Sequence, residues 1–121
     1  MKFIKNDFCD KILLVLSDNE HCTDKEIKLI IPNTFEASSE KHIPEVSTIN
    51  NNEIIVMVGT KNHPMDDDHF IEWIGIETDK GFMVKYLKPG DKPEAKFYLT
   101  EGEKFLNAIS YCNLHSLWSR N

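Results

Sequence analysis

Four histidines and one cysteine, drawn from three distant stretches, are the residues of this chain whose chemistry stands out. His42 follows Glu40 and Lys41. His63 and His69 bracket Pro64-Met65-Asp66-Asp67-Asp68, and Cys112-Asn113-Leu114-His115 lies near the C-terminus. Imidazole nitrogen and thiolate sulfur are ligands for iron, copper, zinc and nickel, whereas calcium and magnesium take oxygen. Each residue also has an ordinary explanation. A loop histidine such as His63 is commonly just solvated, a strand-opening histidine such as His69 commonly bonds a backbone carbonyl, and a lone Cys-x-x-His pair arises by chance. The joint pattern says more, because all four histidines stand beside turn or strand-end positions, where a rigid β scaffold carries its ligands. Four neutral imidazoles and one thiolate exceed the tetrahedral set of structural zinc. They fit a redox iron, whose ferric state a thiolate stabilises by electron donation. Five protein donors also leave one octahedral position open.

The elements that must position these donors read as all-β. Glu53 to Val58 is an apolar run stopped by Gly59. Phe70 to Glu77 alternates, with Ile71 and Trp73 on one face and Phe70, Ile74 and Ile76 mostly on the other. Thr78-Asp79-Lys80-Gly81 is a tight-turn signal before Phe82 to Leu87. After a loop of turn residues, Ala95, Phe97 and Leu99 alternate with Glu94, Lys96 and Tyr98 as a half-buried strand. Lys104 to Tyr111 is less cleanly patterned and a helix is possible there. Thr34 could cap a turn through Phe35-Glu36-Ala37, which Pro44 prevents from growing long. Short strands without long helices predict an antiparallel β-sandwich over residues 34–121.

Residues 1–33 read as a small separate unit. Ile12 to Leu16 and Ile27 to Ile31 are two short strands, too few to be stable alone. The net charge of −6 argues against a nucleic-acid binder, which needs a basic face. It also requires any anionic substrate to be drawn in by a local positive field. No apolar run approaches a membrane span, and no signal-peptide core follows the first lysines, so a cytoplasmic protein is expected. Three cysteines, Cys9, Cys22 and Cys112, make no disulfide framework and point to free or ligating thiols.

Three segments, Glu40-Lys41-His42-Ile43-Pro44, His63-Pro64-Met65-x3-His69-Phe70-Ile71-Glu72-Trp73-Ile74 and Tyr111-Cys112-Asn113-Leu114-His115-x-Leu117-Trp118, resemble the superoxide reductases in order and spacing. That family includes the desulfoferrodoxins and neelaredoxins. The resemblance spans residues 34–118 and implies an immunoglobulin-like sandwich of seven strands. It implies that His42, His63, His69 and His115 are the equatorial ligands of one mononuclear iron per chain, with Cys112 as the axial sulfur. The implied reaction is one-electron reduction of superoxide to hydrogen peroxide, with re-reduction by a small rubredoxin-like electron donor. It further implies that Glu40 can take the sixth position of ferric iron and that Lys41 attracts the anion and helps deliver a proton. The backbone amides around Asn113 and Ser116 are expected to hydrogen-bond the Cys112 sulfur and tune its potential. The alternative is a non-catalytic iron-binding electron-transfer or sensing module using the same site.

Two departures from the family pattern lie close to the site. Ser116 stands where glycine is general, which matters if a positive φ is needed there, and Phe70 replaces a common tyrosine. Residues 1–33 depart further from the family's desulforedoxin-like, four-cysteine iron module. Cys9 aligns with its second cysteine, Asn6 falls at the first, and His21-Cys22 replaces the adjacent pair. A vestigial module is therefore expected, retained for folding or for assembly into a homodimer or homotetramer. The lesser expectation is a second metal, zinc, held by Cys9, His21 and Cys22.

Overall fold

A computed structural model describes residues 1–6, 11–17, 28–50 and 52–121. The chain divides into two compact units, Met1–Ile31 and Pro32–Asn121. The boundary falls slightly earlier than the sequence places it because Asn33 is bonded into the second unit. Its N–H donates to the Leu117 carbonyl at 3.1 Å. Its side-chain amide pairs with the Ser119 backbone in both directions, at 2.9 and 2.8 Å. Asn33 holds φ at 63°, a left-handed conformation that asparagine tolerates better than most residues.

The first unit has three short strands, β1 Lys2–Lys5, β2 Ile12–Val15 and β3 Leu29–Ile30, in an antiparallel sheet of order β2-β1-β3. β2 and β3 lie within the expected runs. β1 is missing from the sequence reading because Lys2-Phe3-Ile4-Lys5 is too short to show a period. Among the described residues of this unit only Phe3 is buried, while Leu13, Leu16, Leu29 and Ile31 are exposed. Cys9, His21 and Cys22 lie outside the described residues.

The second unit begins with one helical turn, α1 Ser39–His42. The turn sits later than the expected one at residues 35–37. Pro44, which cannot continue a helix, opens the first strand. Seven strands follow: β4 Pro44–Asn50, β5 Glu53–Val58, β6 Ile71–Thr78, β7 Gly81–Tyr86, β8 Glu94–Tyr98, β9 Phe105–Cys112 and β10 Ser116–Ser119. They form one sheet of order β4-β5-β8 and another of order β10-β9-β6-β7, with every pairing antiparallel. The core contains Ile54, Val56, Ala95 and Phe97 from the first sheet and Ile71, Ile74, Ile76 and Ala108 from the second. Burying each large aliphatic or aromatic side chain contributes roughly 1.5–3 kcal/mol. The expected all-β sandwich is what forms, with the expected strand at Ala95 and Phe97 ending at Tyr98, one residue before Leu99.

Two local readings are corrected. Residues 105–112 form a strand and not a helix. β9 lies between β10 and β6, and its small Ala108 and Ser110 are fully buried, which hides the strand's alternation. Ile71 and Trp73 do not share a face. A bulge shifts the β6–β9 register between them, so Ile71, Ile74 and Ile76 are all fully buried while Trp73 stays half-exposed and stacks on Tyr111.

Antiparallel register decides where the donors fall. Pro44 pairs with Val58, and Ile71 and Ser116 both pair with Cys112. The start of β4, the end of β5, the start of β6, the end of β9 and the start of β10 therefore share one end of the sandwich. Each predicted donor lies at or just beyond one of those strand ends.

Candidate metal centre

His42, His63, His69, Cys112 and His115 each offer one donor atom, and all five atoms lie within 4.8 Å of one another. Three of the five are buried: His42 is 2% exposed, His63 3% and Cys112 0%. The imidazoles are set out as a square. Ring centroids along its sides are 4.6 Å for His42–His63, 4.7 Å for His63–His69, 4.9 Å for His69–His115 and 4.8 Å for His42–His115. The His42–His69 diagonal is 6.5 Å, close to that of a square with those sides. Neighbouring rings meet at 73–90°.

Backbone carbonyls fix which nitrogens face the middle. His42 Nδ1 lies 2.7 Å from the Ser38 carbonyl, and His63 Nδ1 lies 2.6 Å from the Pro64 carbonyl. A carbonyl can only accept, so both Nδ1 atoms carry the hydrogen and both Nε2 atoms carry bare lone pairs. Those two Nε2 atoms face each other at 3.0 Å, and His115 Nδ1 lies 2.9 Å from His42 Nε2. His69 Nε2 is buried and has no hydrogen-bond partner. Where His42 and His63 meet, two lone pairs face each other with no hydrogen between them and repel, and a cation at that point removes the repulsion. The donor set therefore fits a metal bound by nitrogen and sulfur, and iron suits it because a single thiolate joins four imidazoles.

The surroundings favour neutral ligands. Burial pushes His63 down to about 4 and also lowers His42 and His115. For each of these three, the positive charge a neighbouring histidine would carry lowers it further. Burial pushes the Cys112 thiol up, and hydrogen bonds from the backbone amides of Leu114 and His115 act against that. Both amides lie between Asn113 and Ser116, where the hydrogen bonds to the sulfur are expected. The Asn113 N–H is turned away to the Phe70 carbonyl at 3.2 Å.

Several further residues hold the ligands. Asn113 straps the His69 segment on both sides, accepting from the Phe70 N–H at 3.0 Å and donating to the Asp68 carbonyl at 2.9 Å. Trp118 stacks on the His42 ring at 4.8 Å and donates its indole N–H to the His115 carbonyl at 2.9 Å. Ser110 donates to the His42 carbonyl at 3.1 Å, tying β9 to the end of α1. Phe35 lies 5.4 Å from the His115 ring. Trp118 was legible only as part of a motif, and Asn113 only for the amides near the sulfur, not for its strap. Ser116 does adopt a positive φ, 67°, so the turn imposes a left-handed conformation on a serine.

Glu40 and Lys41 are exposed and are not among the five clustered donors. The Lys41 charge is still felt at the cluster, where it helps to lower His42. Among the described residues no helix is long and apolar enough to cross a membrane.

The desulfoferrodoxin family model matches residues 34–121 of this chain. A desulfoferrodoxin of Syntrophotalea carbinolica is 40% identical over 122 residues, covering 98% of this chain and 94% of that protein. A desulfoferrodoxin of Clostridium acetobutylicum is 42% identical over 98 residues, covering 80% and 74%. The crystal structure of the superoxide reductase from Treponema pallidum matches with a TM-score of 0.72 at 39% identity, covering 77% of this chain and 76% of that one.

Proposed function

The chain belongs to the desulfoferrodoxin family, and on that premise we propose how its residues share the work of a superoxide reductase. The protein is an iron-dependent oxidoreductase that reduces superoxide by one electron, and with two protons the product is hydrogen peroxide. His42, His63, His69 and His115 would hold the iron through ring nitrogens, and Cys112 would supply the thiolate. When bound, ferrous iron would supply the electron.

The remaining work falls to this chain's own groups. Lys41, exposed one residue before His42, presents an ammonium that draws the anion toward the site on an otherwise acidic protein. It also positions water that can deliver a proton. Glu40 is the carboxylate that would add a further ligand to the oxidised iron. The amides of Leu114 and His115 stabilise negative charge on the Cys112 sulfur. Burial by Trp118 and the core restricts water around the ligands. A small rubredoxin-like protein returns the electron. The first unit is a vestigial desulforedoxin-like module serving folding or assembly into a homodimer or homotetramer, a role consistent with its exposed Leu13, Leu16, Leu29 and Ile31.

The observation that carries this reading is the square of four imidazoles with Cys112 inside the same 4.8 Å cluster. The test is metal content followed by rapid mixing of the reduced protein with superoxide. One iron per chain is expected, with fast oxidation by superoxide, slow oxidation by oxygen, and peroxide as product. Slow oxidation by superoxide would leave an electron-transfer or sensing module instead. Two metals per chain would overturn the vestigial reading of the first unit.

A further inference from the structure

Glu40 has a partner that the reaction as described does not use. Its carboxylate lies 3.4 Å from the ammonium of Lys61, a residue of the loop after β5. Both side chains are well exposed, at 67% and 72%, and such a pair is weak when only two flexible chains meet. Here the backbones beneath them are joined. The Lys61 N–H and the Thr60 hydroxyl both donate to the Glu40 carbonyl, at 3.3 and 3.2 Å, and the Gly59 N–H donates to the Ile43 carbonyl at 3.0 Å.

Gly59 is what lets the two loops come this close. Its φ is +84°, and a Cβ there would stand 2.5 Å from the Lys61 carbonyl oxygen, 2.7 Å from that of Lys41 and 2.8 Å from that of Glu40. The three atoms are backbone and cannot swing aside, so only glycine permits the junction. The junction fixes the stems of Glu40 and Lys61 side by side.

We propose that Lys61 is a positioning residue for Glu40, holding the carboxylate on the solvent side of the loop and so governing how readily it occupies the open coordination position. The proposal rests on the reading of Glu40 given above. A carboxylate paired with Lys61 is not available as a ligand, so the ion pair lowers the effective competition of Glu40 against an incoming anion. Lys41, next in the chain, is left to face that anion.

The test uses the oxidised, iron-loaded protein and azide, a small monoanion, titrated by the change in the visible absorption band at fixed, moderately high salt. Lys61→Gln frees Glu40 and weakens azide binding by about two- to fivefold, the range an exposed ion pair allows. Lys61→Arg, which keeps the charge, restores wild-type binding. In the Glu40→Ala background, adding Lys61→Gln changes azide binding by much less. Wild-type azide affinity in Lys61→Gln would overturn the proposal. The same loss persisting in full without Glu40 would also overturn it, because Lys61 would then act on the anion directly. Glu40→Ala alone checks the premise separately: it tightens azide binding if Glu40 competes for the open position. An unchanged affinity there sinks the reading of Glu40, whatever Lys61→Gln does.

Discussion

Residues 40 to 42 pass from one regime to another within three positions. Glu40 and Lys41 are exposed, whereas His42 is 2% exposed and meets His63, His115 and Trp118. The buried side of the centre is built from rings whose orientation is set by backbone carbonyls, at Ser38 and Pro64, and by the Asn113 strap. The exposed rim is built from long charged side chains whose stems alone are fixed. The difference separates two tasks. The buried part decides what is bound and how strongly, and the rim decides how fast a small anion arrives and what it competes with.

Changes on the buried side should therefore alter colour and affinity, and changes on the rim should alter rate and salt dependence. The largest effect is expected from Cys112→Ser, which removes the thiolate and with it the sulfur-to-iron charge-transfer band of the oxidised protein. Visible absorption of the iron-loaded variant decides it, and a variant that keeps the band breaks the assignment.

Acid should act next, and also on the buried side. In the metal-free protein His63 sits at about 4 against an ordinary 6.5, so between those values the unfolded chain binds more protons than the folded one. The contribution of neutral His63 is complete above pH 6.5 and is lost as pH falls toward 4, by up to about 3 kcal/mol. His42 and His115 shift in the same direction and add to the loss. Urea unfolding of the metal-free protein at pH 7.5 and pH 5 measures it, and equal midpoints would show that the ring is not held neutral by burial.

On the rim, Lys41→Ala should slow the second-order reaction with superoxide by roughly tenfold at low ionic strength and flatten its salt dependence. The absorption spectrum should change little by comparison. Unchanged kinetics at low salt would remove Lys41 from steering. The smallest effect is expected from Ser116→Gly, which relieves a left-handed serine at φ 67° and should raise stability by about 1 kcal/mol, seen as a later unfolding midpoint.

The same division explains what could be read from the chain. Histidine and cysteine carry their chemistry in their identity, so His42, His63, His69, Cys112 and His115 were legible, as were strands that alternate plainly, such as the one holding Ala95 and Phe97. What fixes those ligands was not. The Ser38 and Pro64 carbonyls belong to any residue, and their use depends on where α1 ends and how the loop after β5 turns. β9 was hidden because a strand covered on both sides, with small residues at Ala108 and Ser110, loses its alternation. The pairing of Lys61 with Glu40 depends on Gly59, whose role is conformational and leaves no chemical signal in the sequence.

The donors do not all come from one side of the sandwich. His42 and His63 flank β4 and β5, whereas His69, Cys112 and His115 flank β6, β9 and β10. An ion shared among them is a clasp between the two layers, much as a crosslink would be. Shedding it requires the donors of at least one layer to let go, so ion loss should be as slow as that local opening. Chelators should then strip the ion at a rate that levels off with chelator concentration, because the opening and not the capture sets the pace.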